Sequence, residues 1–167
     1  MTIAMQPIYT QTVGSGGIGE LVFNNIPQTF TDLKVVISAR IVNSAVANTL
    51  YIGFNGAYSV TTSRYLAGDG SAATSSINGN GLIGDVSANT ATANTFGSVD
   101  VYIPNYTSAN FKQYISDSVS ETNGTTAYAE LWAGLWRSTS AITSLRFSAS
   151  ANMMQYSTIT IYGITKG

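Results

Sequence analysis

The stretch LKVVISARIV, residues 33–42, decides the fold class of this chain. One face carries only apolar residues, from Leu33 to Ile41, whereas the other mixes valines with Lys34, Ser38 and Arg40. An alternation of period two is typical of a half-buried β-strand. The same period recurs along the chain, and no stretch shows a convincing helical period. The sequence therefore predicts an all-β protein.

Working outward from this stretch, we predict about eight strands. They cover residues 18–23, 33–42, 49–54, 97–103, 112–121, 125–136, 142–149 and 156–164. Asn55-Gly56 and Asn123-Gly124 are hairpin turn signals, and Pro104 ends the strand before it because proline cannot donate to a ladder. Short strands at this spacing are typical of a β-sandwich or jelly roll of antiparallel sheets.

Two segments interrupt this rhythm within the predicted single domain of residues 14–167. Residues 1–13 precede the glycine-rich 14–17 and form either an extended arm or a first edge strand over 8–13. Residues 68–95 are rich in Gly, Ser, Ala, Thr and Asn, and we predict a long loop there, with a short strand over 82–86 as an alternative. A loop of this length is usually functional, disordered or misread.

Composition excludes several function classes. The 167 residues carry a net charge of -1 with only 9% charged residues, so we expect no nucleic-acid partner. No apolar stretch approaches the ~20 residues of a membrane span, and no leader pattern occurs, so we expect synthesis in the cytoplasm and no membrane association. The chain has no cysteine and no histidine, which excludes the usual zinc sites and nucleophilic triads.

No residue pattern predicts catalysis. Asp100, Asp117 and Glu130 lie in the middle of predicted strands, where paired carboxylates could serve a glycosidase, but a solvated sheet face or an ion pair is the commoner explanation. The glycine-rich 14–17 lacks the Lys-Ser/Thr that follows in a phosphate-binding loop. We therefore expect no catalytic residue, no metal site, no cofactor and no enzymatic activity.

The predicted strand 125–136 has two apolar faces. One face carries Ala127, Ala129, Leu131, Ala133 and Leu135, and the other carries Tyr128, Glu130, Trp132, Gly134 and Trp136. Such a strand lies either between two sheets or with its second face against another subunit. Tyrosine and tryptophan are enriched at interfaces, so we expect the tryptophan face to contact a subunit; carbohydrate binding by the same tryptophans is a further alternative.

Four stretches together resemble a known family. They are FNNIPQTFTDLKVVISAR (23–40), YIGFNG (51–56), LWRSTSAI (135–142) and STITIYGI (157–164). They are similar to the IPxTYTDL, RFNGD-like, LWxSTSAI and TxTLYGI patterns of small virion proteins of tailed bacteriophages, especially phages of aquatic bacteria and cyanobacteria. The resemblance covers about residues 8–165, and it departs at Phe30, where tyrosine is usual, and at Ala57, where an acidic residue often follows Asn-Gly.

The resemblance implies a non-enzymatic virion structural protein of β-sandwich type. One form is a capsid decoration (cement) protein, usually a homotrimer, that binds the major capsid protein and stabilises the outer capsid surface. The other is a tail or fibre module that binds host-surface carbohydrate; a glycan-cleaving depolymerase would need a close carboxylate pair beside the tryptophans. The expected subunit or capsid contacts are Met1, Thr2, Ile3, Ala4, Met5, Gln6, Tyr128, Trp132, Trp136 and Arg137. An extended start could add a strand to a neighbour's sheet.

Overall fold

The computed structural model describes residues 4–58, 61–124 and 126–165, and it confirms the all-β class, with no helix in these ranges. Twelve strands follow one another along the chain. They are β1 (Ala4–Thr12), β2 (Ile18–Phe23), β3 (Asp32–Ile41), β4 (Ala47–Phe54), β5 (Thr61–Gly68), β6 (Ala73–Gly79), β7 (Leu82–Ala88), β8 (Gly97–Ile103), β9 (Lys112–Ser120), β10 (Tyr128–Trp136), β11 (Leu145–Met153) and β12 (Thr158–Thr165).

The strands join in two hydrogen-bonded series that meet at β3. The first series runs β1-β12-β3-β8-β9-β10-β5-β6, and the second runs β2-β11-β4-β7. The end of β3 links them, because Arg40 and Ile41 pair in parallel with Ser87 and Ala88 of β7. The other pairings between these strands are antiparallel.

The stretch that predicts the fold lies at the centre of this network. The face of β3 from Leu33 to Ile41 is fully buried, as its alternation predicts, and Val36 and Ser38 are exposed. Arg40 departs from the pattern because its guanidinium is also buried. It donates hydrogen bonds to the backbone carbonyls of Ala91, Thr92 and Thr95, which replaces the water it loses.

Strand β7 of the second series also contacts β9 of the first series, although these two strands are not paired with each other. The Ser116 hydroxyl of β9 donates to the Ile83 carbonyl of β7 over 2.7 Å. Gly84 sits above Ser118 with a φ of 134°, and a Cβ there would overlap the serine side chain. Only glycine permits this approach, so β7 and β9 are held unusually close.

The predicted count of about eight strands is wrong. Residues 68–95, expected to be a long loop with a short strand over 82–86 as the alternative, contain β6 and β7; β7 confirms that alternative, whereas β5 and β6 were not predicted. The buried positions of β5 hold only the small residues Thr61, Ser63 and Ala67, and all of β6 except Asn78 is exposed. Neither strand therefore shows the apolar alternation from which strands are predicted. At the other end of the chain, β1 is an edge strand paired with β12.

Candidate functional site

The two faces of strand β10 differ in burial. Its inner face carries Glu130, Trp132, Gly134 and Trp136, all buried, while the alternate residues from Ala129 to Ala133 are exposed. Two apolar faces were predicted for this strand, with the tryptophan face expected to contact another subunit and burial between two sheets as the alternative. The two tryptophans are each only 3% exposed, which favours burial inside the chain over the expected subunit contact.

Both indoles pack against side chains of the same chain. Trp136 lies 5.3 Å from Phe54 between ring centroids, which joins the two strand series. Trp132 stacks on Tyr65 of β5 at 4.6 Å, and its indole N–H donates to Glu130 over 2.9 Å. The Trp132 indole N–H is therefore satisfied, whereas that of Trp136 is buried without a hydrogen-bond partner among the described residues. Both rings are buried in the chain's own interior, so neither is available for a subunit contact.

The other predicted contact residues are more accessible. Ala4, Met5 and Gln6 are exposed on β1, and Arg137 is exposed directly after β10. Tyr128 is half-buried at the start of β10. Met1, Thr2 and Ile3 lie outside the described residues. A contact role for these residues stays a prediction.

A small polar cavity opens beside Trp132. Its volume is about 220 Å³, and β5, β6, β7 and β10 contribute to its walls. The lining includes Tyr65, Asn78, Asp85, Tyr128, Glu130 and Trp132. Typical ligand sites measure about 300–1,000 Å³, so this cavity has room only for a small polar molecule.

Two carboxyl groups from different strands meet at this cavity. One oxygen of Glu130 accepts three hydrogen bonds, from the Asp85 backbone N–H at 2.8 Å, the Ser118 hydroxyl at 2.8 Å and the Trp132 indole N–H at 2.9 Å. The side chain of Asp85 accepts a hydrogen bond from Thr49. Burial raises the pKa of Asp85 from 3.8 to about 6; the negative charge of Glu130 adds to the rise, and the Thr49 hydroxyl opposes it.

This pair can hold a proton near neutral pH and can hydrogen-bond a polar ligand. A glycosidase that uses two carboxyl groups would need both of them to be reactive, and three donors already engage one oxygen of Glu130. Among residues 4–58, 61–124 and 126–165, no group of three His, Cys, Asp or Glu side chains is placed to hold a metal ion.

Two of the three mid-strand carboxylates considered from sequence come together. Asp100 and Asp117 lie directly opposite each other on β8 and β9, on the outer face and away from the tryptophans. Asp100 is bound by the Lys34 ammonium at 2.8 Å. Glu130 lies apart from them on the inner face, beside Asp85 of the segment 82–86 that was predicted as a loop or a short strand.

The outer face of β9, β10, β5 and β6 is apolar and exposed. Exposed fractions are 55% for Leu66, 66% for Ile77, 44% for Ile115, 50% for Val119 and 42% for Leu131. The pattern on β9 is inverted, since Ile115 and Val119 face outward while Ser116 and Ser118 are buried. This surface was not predicted from the sequence, although the apolar Ala129–Leu131–Ala133 face of β10 is part of it.

No family model, curated protein or solved structure matches this chain, and the described residues contain no helix capable of spanning a membrane.

Proposed function

We propose that this chain is a non-enzymatic structural protein of a phage virion, a capsid decoration protein that binds the outer capsid surface as a homo-oligomer. The observation that carries the proposal is the exposed apolar face of β9, β10, β5 and β6. Contiguous apolar surfaces of this kind are typical of protein–protein contacts. The motif resemblance at residues 23–40, 51–56, 135–142 and 157–164 supplies the virion setting.

The proposed architecture is a β-sandwich. The β2-β11-β4-β7 series and the central strands of the longer series would form its two layers. Contacts between β7 and β9, such as Ser116 to the Ile83 carbonyl, support a face-to-face arrangement, because the two strands are not paired. A rigid layered body of this kind can carry contact surfaces on its outer faces and edges.

The proposed capsid contact is the beginning of the chain, with Ala4, Met5 and Gln6 exposed on the edge strand β1. An edge strand offers unpaired backbone groups as well as side chains to a neighbouring protein. Arg137, exposed on the loop after β10, is a second proposed contact. The trimeric state implied by the resemblance stays a prediction. The two tryptophans expected to support it are buried, so they do not form its contacts.

The test is to mix the purified protein with empty shells that lack it and to measure co-sedimentation. Decoration predicts saturable binding at many copies per shell. A chain lacking residues 1–6 should bind weakly while keeping its thermal unfolding transition, and Val42→Ser, at an exposed residue after the end of β3 and away from Ala4–Gln6 and Arg137, should bind normally. If the intact protein fails to bind shells, the decoration proposal is wrong.

Binding of host-surface carbohydrate by a tail or fibre module is the second candidate, and the cavity beside Trp132 favours it. A stacked aromatic pair with Asp85, Asn78 and Glu130 nearby combines an apolar ring edge with hydrogen-bonding groups. The cavity volume of about 220 Å³ limits the bound part to about one sugar unit.

Carbohydrate binding can be tested by titrating neutral monosaccharides and host oligosaccharides while following tryptophan fluorescence. This candidate predicts a saturable change that Asn78→Ala weakens and Asn110→Ala, at an exposed position away from the cavity, leaves unchanged. A flat titration with every sugar would exclude binding in this cavity without affecting the capsid-binding result.

A further inference from the structure

The outer apolar face is continuous across neighbouring strands. On β10, Leu131 lies opposite Leu66 of β5, and Ala133 and Ala129 lie opposite Ile115 and Val119 of β9. With strands about 4.8 Å apart and a rise of about 3.4 Å per residue, four strands of seven residues span about 450 Å². This area includes the exposed Arg64 and Asp117 as well as the apolar side chains, and residues at its rim would extend it toward the ~800 Å² per partner of a stable interface.

The inverted pattern of β9 indicates that this face is covered in the working protein. A strand with one solvated face normally exposes its polar residues. Here the serines at 116, 118 and 120 are buried and the larger apolar residues Ile115 and Val119 are in solvent. A second protein surface over this face would remove the apolar side chains from water.

Two exposed charges flank Leu131 on opposite sides of this face. Asp117 lies beside it on β9, and Arg64 lies on β5, opposite Ala133. Neither makes an ion pair within the described part of the chain. Asp117 is also directly opposite Asp100, whose own carboxylate is held by Lys34, so the negative charge at Asp117 has no local cation to balance it.

We propose that the occupant of this face is a second copy of the chain, packed face to face across a two-fold axis parallel to β10. This rotation places β9 of each copy over β5 of the other. Arg64 then lies two residues, about 7 Å, along the strand from the partner's Asp117, and an arginine side chain can reach across that offset. The contact is self-complementary: two Arg64–Asp117 pairs form at once around a shared apolar centre.

This inference deepens the proposed function and rests on it, since it names the surface through which the structural protein forms its oligomer, as a dimer in place of the trimer that the resemblance implies. It uses no residue of the proposed capsid contact at 1–6. Loss of the dimer and loss of shell binding can therefore be observed separately.

Sedimentation velocity over a concentration series tests the inference directly. The intact protein should sediment at twice the monomer mass of 17.6 kDa. Arg64→Asp and Asp117→Arg should each raise the dimer dissociation constant tenfold or more, because each places like charges together in both symmetric pairs. The double variant should return to within about threefold of the intact protein, since the reversed pairs again attract.

Leu131→Arg should give a monomer, and the matched control Val22→Arg, an exposed apolar residue of β2 in the other series, should remain dimeric. A circular dichroism melt of every variant tests whether it folds. Arg64 and Asp117 are exposed, so substitutions there leave the core intact. A monomeric intact protein, or a trimer indifferent to Leu131→Arg, would overturn the inference. So would a double charge reversal that fails to recover the dimer.

Discussion

Asp85→Asn should make the protein more stable at neutral pH and remove a fall in stability between about pH 4 and pH 6. Asp85 is the one acidic side chain of the cavity whose charge is disfavoured by its surroundings, because burial and the neighbouring Glu130 carboxylate raise its pKa from 3.8 to about 6. Asparagine has nearly the same shape, can still accept the Thr49 hydroxyl hydrogen bond, and carries no charge.

The sign follows from where the proton is held. Between about pH 4 and pH 6 the folded chain keeps the Asp85 proton and the unfolded chain has released it, so stability falls as the pH rises. The stability that the Asp85 proton contributes is complete below the pKa of Asp85 in the unfolded chain, and it is lost as the pH rises past the folded-state pKa of about 6. The difference between 3.8 and about 6 corresponds to about 3 kcal/mol at pH 7.5.

Urea unfolding of the two proteins at several pH values from 4 to 8 measures this difference. The free energies of unfolding should nearly coincide at pH 4 and diverge to about 3 kcal/mol in favour of Asp85→Asn at pH 7.5. Asp69→Asn, on an exposed turn, is the matched control and should leave the wild-type fall in place. A difference between Asp85→Asn and wild type that stays constant across this range would refute the reasoning.

Three further substitutions test the packing and the charges. Gly134→Ala should destabilise by about 1–3 kcal/mol in urea unfolding, because the added Cβ would overlap the buried ring of Tyr114. Arg40→Leu should raise hydrogen exchange in residues 89–96, whose carbonyls lose their donor, while β3 stays protected. Glu20→Gln removes a partly exposed ion pair with Arg146 of β11 and should lower the free energy of unfolding by less than about 1 kcal/mol at pH 7.

Each of these substitutions has a control. Gly68→Ala adds the same methyl group where nothing lies within 4 Å, and should leave stability nearly unchanged. Arg137→Leu removes an exposed guanidinium and should not change exchange in residues 89–96. Arg146 lowers the pKa of Glu20, so the stability from this pair is present at pH 7 and is lost as the pH falls through the lowered folded pKa; the Glu20→Gln effect should therefore shrink as the pH is lowered. An effect that does not shrink with falling pH would exclude the ion pair as its cause.

Strands with apolar alternation could be predicted from sequence, and strands without it could not. The predicted bounds 18–23 and 97–103 coincide with β2 and β8, where large apolar residues alternate with polar ones. In contrast, β6 has serines, a threonine and one isoleucine, and it is held by backbone pairing with β5. Backbone hydrogen bonds carry no side-chain signal, so composition alone indicated a loop.

The candidate cavity depended on contacts that no local pattern contains. Asp85 and Glu130 are 45 residues apart and lie on β7 and β10, which are not paired with each other. One signal was available: Glu130 shares a face with Trp132 and Trp136, and a carboxylate on an apolar face must find donors if that face is buried. The tryptophan face was expected to contact another subunit, and that expectation did not predict hydrogen-bond donors for Glu130 within the chain.

Close packing between the strand series explains which face of β10 turned inward and why the outer face is apolar. Where β7 approaches β9, Gly84 and Ser118 are in contact, and on β10 the missing side chain of Gly134 leaves room for Tyr114. At these two contacts the facing strands leave room only for small side chains or a flat ring, so Ser116 and Ser118 of β9 face inward and Ile115 and Val119 face outward. The proposed second copy would remove these outward apolar side chains from water.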